Sequence, residues 1–94
     1  MLGLDSAMYK IRLLKEASRN LEQLDKTVAG RIVRKMNWLA ENVETMTPKG
    51  LRKNLSAYAK LREGNYRVIY QVLPEEEIII VHFIGHRSEI YKNK

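Results

Sequence analysis

Ninety-four residues, 45% of them hydrophobic, suffice for one compact domain with a single modest core and are too few for two. Seventeen Lys and Arg against eleven Asp and Glu leave a net charge of +6, which favours an anionic partner, whether nucleic acid or an acidic protein segment. There is no cysteine, so disulfides, thiolate metal sites and thiol catalysis are excluded.

The opening MLGLDSAM lacks the charged start and apolar stretch of a signal peptide, and no run approaches a membrane span. The expectation is a soluble, cytoplasmic protein with one domain over 1–94. MYKIRLL (8–14) alternates Tyr9, Ile11 and Leu13 against Lys10 and Arg12, the period of a strand with one covered face. From Lys15 the period becomes helical through Ala17, Leu21 and Leu24, and Asp25 is placed to cap a second helix. In that helix Val28, Ile32, Met36, Leu39 and Val43 form one apolar stripe. TMTPKGLRKN (45–54) ends it, because Pro48 cannot continue a helix and Gly50 loosens the chain.

Three strand-like stretches follow, AYAKLRE (57–63), YRVIYQVL (66–73) and EIIIVHFIG (77–85), separated by Gly64-Asn65 and Pro74-Glu75-Glu76. Such short separators predict tight hairpins and an antiparallel meander. The unbroken apolar run Ile78 to Val81 predicts a central strand covered on both faces. The order β-α-α-β-β-β is that of an α+β domain, a helical hairpin packed on one face of a twisted, mainly antiparallel sheet. The other face is left for a ligand or a partner.

Between positions 49 and 67 six basic residues, Lys49, Arg52, Lys53, Lys60, Arg62 and Arg67, stand against one acid, Glu63. Tyr58, Lys60 and Arg62 project together from one strand, and the two-residue turn brings Arg67 close enough to join a cationic surface. A solvated basic face without a ligand is the competing reading. GHRSEIY (85–91) collects His86, Arg87, Ser88, Glu89 and Tyr91 at a strand end, which suits a site; the alternative is a frayed terminus with an Arg87/Glu89 pair. Glu75 to Glu77 read as a solvated turn, Trp38 as a helix-packing residue and His82 as a satisfied core histidine. No H-E-x-x-H, phosphate-binding loop or nucleophile elbow occurs, which makes metal hydrolysis and nucleotide-triphosphate hydrolysis poor bets.

YAKLREGNYRVIYQV, followed by an apolar strand and GHRSEIY, resembles the RelE-type toxins of the RelE/ParE superfamily, the toxin halves of bacterial and archaeal toxin–antitoxin pairs. The likeness runs from YKIRLL to Tyr91, and its most specific parts are GNYRVIY and GHRSEIY. It implies the same fold and, in the RelE branch, cleavage of mRNA without a metal or other cofactor, commonly on the ribosome, so that translation stops. It also implies a cognate acidic, RelB-like antitoxin that wraps the toxin, with no membrane partner and with DNA met only through the antitoxin complex. By position, the catalytic set falls on Lys60, Arg67, Arg87 and Tyr91, and the RNA-binding set on Lys49, Arg52, Lys53, Arg62 and His86. The sequence departs from the best-known pattern at Tyr58, where a second lysine is expected, and in a shorter stretch between Gly85 and Tyr91.

Cleaving RNA through its own 2′-hydroxyl needs a base, an acid for the departing 5′-oxygen, and cations around the phosphate. Arg67 and Arg87 offer forked donors for phosphate oxygens. Lys60 suits a base if neighbouring cations and partial burial favour its neutral form. Tyr91 suits orientation of the 2′-hydroxyl, proton transfer or base stacking. Two other readings stay open on the same fold: a ParE-like, non-catalytic inhibitor of DNA gyrase, and an inactive member that only binds antitoxin.

Overall fold

A computed structural model of the chain describes residues 8–46 and 58–92. The alternating stretch after Met8 forms strand β1 (Lys10–Leu13), and the two helical stretches form α1 (Lys15–Glu22) and α2 (Lys26–Met46). The chain then runs through β2 (Ala59–Glu63), β3 (Tyr66–Leu73) and β4 (Ile78–His86) into a short helix, α3 (Arg87–Lys92). Lys49, Arg52 and Lys53, with the Pro48-Gly50 helix stop, lie outside the described residues.

Asp25 does start α2: its Oδ2 accepts the Thr27 N–H at 3.0 Å, supplying a partner to one of the four amides that a helix start leaves unbonded. The α2 stripe turns inward as its spacing requires, with Ile32, Met36, Leu39 and Val43 buried. They pack, with Ala17 of α1, against Leu61, Val68, Tyr70, Val72, Ile79, Val81 and Ile84 of the sheet. Tyr9 joins this core through its ring while its hydroxyl donates to Glu44 Oε2 at 2.7 Å, tying the first strand to α2.

The sheet order is β1-β4-β3-β2. β2, β3 and β4 form the expected antiparallel meander, and β1 lies parallel to β4 with Ile11 opposite Ile79 and Leu13 opposite Val81. β1 ends at Leu13, so among the described residues no strand flanks the upper part of β4 on that side. There the Ile84 N–H is taken instead by Asn20 Oδ1 of α1, at 3.0 Å, which protects an otherwise exposed sheet edge. No helix among the described residues is long and apolar enough to cross a membrane.

Two expectations need correction. In the run Ile78 to Val81 only Ile79 and Val81 are buried; Ile78 and Ile80 are half-buried, because the two helices cover one face alone and the central position of β4 comes from its strand neighbours. Trp38 is not a packing residue: it is 42% exposed, with the Lys35 ammonium 4.8 Å from its ring centroid. It falls beside the buried stripe of α2 and not on it.

Candidate functional site

The sheet face turned away from α1 and α2 is organised around the β2–β3 turn. Gly64 has φ +59°, a conformation that costs a side-chain-bearing residue energy, and Asn65 is not in that region, the pattern of a hairpin with glycine first in the turn. This fixes the register of the two strands: Arg62 stands opposite Arg67, Leu61 opposite Val68, and Lys60 opposite Ile69. Directly opposed residues leave a sheet on the same face. Since Leu61 and Val68 point into the core, Lys60, Arg62 and Arg67 share the other face.

Arg67 differs from its expected form there. It is only 7% exposed, because Nη1 folds onto the turn and donates to the carbonyls of Gly64 at 3.0 Å and Tyr66 at 2.9 Å. The carbonyl between them, that of Asn65, accepts the Arg87 N–H at 2.7 Å. Three successive carbonyls thus hold the guanidinium of Arg67 and the backbone of Arg87, which brings the two predicted phosphate ligands to one turn. Among the described residues no carboxylate pairs with Arg62 or Arg67, and the ion pair that Glu63 makes goes to Arg31, 3.8 Å away. Lys60 is exposed, so the partial burial expected of a base is not found.

Alternation misplaced one residue of this face. β3 and β4 slip register between Ile69 and Tyr70: Ile69 faces Phe83 and Tyr70 faces Val81, leaving His82 as the extra residue of a bulge. A bulge re-aims the side chain it carries. His82 Nε2 lies 2.7 Å from Gln71 Oε1, and the Tyr58 ring meets the imidazole edge-on at 4.7 Å between centroids. Tyr58 itself is 65% exposed. With the carbonyl oxygen of Gln71 accepting from Nε2–H, the neutral ring keeps its lone pair on Nδ1. His82 is therefore satisfied as expected, but at the surface and not in the core. A histidine in an apolar strand gives no sequence sign of a bulge.

At the end of β4 the alternative of a frayed terminus is not met: the chain enters α3, which carries Arg87, exposed, and Tyr91, whose side chain lies outside the described residues. Glu89 is not paired with Arg87: its Oε1 takes the His86 N–H at 3.3 Å. The His86 ring packs edge-on against Tyr66 at 5.4 Å, and its Nδ1 lies 3.0 Å from Ser88 Oγ and 3.2 Å from the Ser88 nitrogen. His86 borders a cleft of about 470 Å³ together with Asn20, Gln23, Tyr66, Phe83 and Glu89.

Residues 11–91 match a family described as the ParE toxin of the type II toxin–antitoxin system, parDE. A putative RelE-like toxin protein of Escherichia coli is 30% identical over 86 residues, 88% of this chain and 90% of that protein. Toxin RelG of Mycobacterium tuberculosis is 25% identical over 84 residues, 89% and 97% of the two chains. The solved RelBE2 toxin–antitoxin complex of Mycobacterium tuberculosis contains a chain of the same fold, with TM-score 0.69 at 24% identity over 87% of this chain and 94% of that one. A mutant of Escherichia coli toxin RelE in the free state gives TM-score 0.64 at 25% identity, covering 90% and 92%.

Proposed function

Since the chain belongs to the ParE toxin family of type II toxin–antitoxin systems, within the RelE/ParE superfamily, we propose that it is the mRNA-cleaving kind of toxin, a metal-independent endoribonuclease that stops translation in the cytoplasm. The observation that carries this reading is the Arg62–Arg67 pair. Like charges placed directly opposite on a sheet are destabilising, and here the pair has no carboxylate beside it among the described residues. A bound phosphodiester relieves that repulsion. Arg67 is already held in place by the turn, so little is lost in ordering it when the phosphate arrives.

Around that phosphate the remaining roles follow from chemistry. Arg87, tied to the same turn through its backbone, supplies a second fork for the charge that builds on the phosphoryl oxygens. The Nδ1 lone pair of His82 is the base offered by the open face, exposed Lys60 supplies a further cation beside the phosphate, and Tyr91 on α3 is the second proton-transfer group. Exposed Tyr58 gives a flat surface for a base, and Lys49, Arg52 and Lys53 extend the grip on the RNA strand. The 2′-hydroxyl is the nucleophile, so RNA is cut and DNA is not. The antitoxin is an acidic, RelB-like chain that covers this cationic face; the likeness to a toxin solved in complex with its antitoxin supports such a partner.

One observation favours a second reading, a ParE-like protein that inhibits gyrase without chemistry: the matched family is described by the ParE toxin. Inducing the protein without its antitoxin separates the two. Growth arrest with mRNA cut within minutes supports the ribonuclease. Arrest with intact mRNA and an induced DNA-damage response supports the gyrase inhibitor.

A further inference from the structure

We propose that His86 is the positioning residue of α3: as a neutral imidazole it is the N-cap of the helix that carries Arg87 and Tyr91, and protonation releases that cap. A helix start leaves its first amides without partners, and a side-chain acceptor at the residue before the helix normally supplies one. α3 begins at Arg87, which makes His86 that residue. Its Nδ1 accepts the N–H of Ser88, the second helical residue, at 3.2 Å. In return the carboxylate of Glu89, the third helical residue, accepts the His86 N–H at 3.3 Å. This reciprocal pair is a variant of the capping box, with an imidazole where serine or threonine usually stands and the amide of the second helical residue in place of the third.

Three further contacts hold the device together. The Arg87 N–H is taken by the Asn65 carbonyl at 2.7 Å. The Tyr66 ring, at 5.4 Å and 79° to the imidazole, fixes its plane. Gly85 leaves room for the returning carboxylate: a Cβ there would stand 2.9 Å from Glu89 Oε1 and 2.6 Å from the Phe83 ring.

A backbone N–H can only donate, so Nδ1 must be unprotonated while the cap is made. Protonation places an N–H against the N–H of Ser88. The Ser88 hydroxyl, 3.0 Å from Nδ1, can then accept the new proton, but the Ser88 amide is left without its partner. The groups facing the imidazole are the Tyr66 phenol from β3, the Ser88 hydroxyl and Glu89 carboxylate of α3, and the uncharged Asn20 and Gln23 of α1 across the cleft. α3 order is therefore expected to fall on acidification.

The consequence for activity rests on the ribonuclease reading, but the cap does not. The test compares wild type, His86→Ala and His86→Asn by 13C and 15N NMR and by RNA cleavage. Asparagine is a strong N-cap with no charge to gain. At about pH 8, the helix-to-coil ratio of residues 87–92 is expected to fall about five-fold in His86→Ala, the effect of losing a typical N-cap, and to recover in His86→Asn. On acidification to about pH 5 it falls in wild type and stays constant in His86→Asn. Cleavage at the higher pH follows the same order, lost in His86→Ala and restored in His86→Asn. An α3 equally helical in all three proteins would overturn the cap. A helix restored in His86→Asn without restored cleavage would overturn the positioning role and make His86 a direct RNA contact. Absence of cleavage in all three, with the helix responding as stated, would overturn the ribonuclease reading and leave the cap established.

Discussion

Replacing Arg67 with alanine tests structure and chemistry in one variant. The substitution deletes two hydrogen bonds from a charged donor, to Gly64 at 3.0 Å and Tyr66 at 2.9 Å. Bonds of this kind contribute about 1.5–3 kcal/mol each, and the lower figure applies because the acceptor residues are exposed (Gly64) and half-buried (Tyr66), so that water can replace the donor. Two such bonds give about 3 kcal/mol. Removing the repulsion from Arg62 returns about 0.2–1 kcal/mol, so Arg67→Ala is expected to destabilise the fold by about 2 kcal/mol. For a domain of this size that lowers Tm by roughly 8–16 °C and still leaves a folded protein at 25 °C. Urea denaturation measures the loss, and RNA cleavage is then assayed in conditions where the variant is shown to be folded. The expected activity is down by about 100- to 1000-fold, the effect of removing a preorganised donor from a developing charge. An unchanged urea midpoint would refute the turn clamp. Lost stability with full cleavage would show that Arg67 serves the hairpin alone.

Arg62→Ala should behave differently, because Arg62 is exposed and opposes a like charge: stability is unchanged or rises by up to about 1 kcal/mol, whereas cleavage falls about 100-fold; a clear loss of stability would contradict the like-charge account. His82→Asn should lower cleavage by about 100- to 10,000-fold, the usual contribution of a positioned proton-transfer group, with RNA affinity unchanged; equal rates in the two proteins would remove His82 from the mechanism. Burial raises the Tyr70 hydroxyl above its ordinary value of 10.0. The unfolded chain therefore loses this proton first, so the contribution is fully present below about pH 10 and is lost as pH rises further. Tyr70→Phe should flatten that alkaline loss of stability in a series of urea titrations; an identical slope in the variant would assign it to other groups.

The elements that were legible in the sequence are those fixed by periodicity. Tyr9, Ile11 and Leu13 marked a strand because a half-covered sheet imposes period two, and Ile32, Met36, Leu39 and Val43 marked one helix face. Asp25 announced the α2 start because the capping chemistry is local. The Gly64-Asn65 turn brought Arg67 near Arg62 in the sequence, but the register that sets the two directly opposite is a property of the folded hairpin. What stayed hidden depended on side-chain conformation or on departures from period. Burial of Arg67 follows from its guanidinium folding onto the turn carbonyls, which no residue pattern encodes. His82 reached the open face through a one-residue slip, and α3 depends on an imidazole cap that a search for serine, threonine or aspartate passes over.

The central claim, that the cationic sheet face cleaves RNA through the RNA's own 2′-hydroxyl, is tested most directly by product chemistry at the cut. The protein is incubated with a defined message, free and on programmed ribosomes, beside the same message carrying a single 2′-deoxy nucleotide at the cleavage position. Cleavage of the unmodified strand to a 2′,3′-cyclic phosphate end, with the deoxy strand left intact, is the predicted result. Cutting of the deoxy strand, or a free 3′-hydroxyl at the cut, would contradict it.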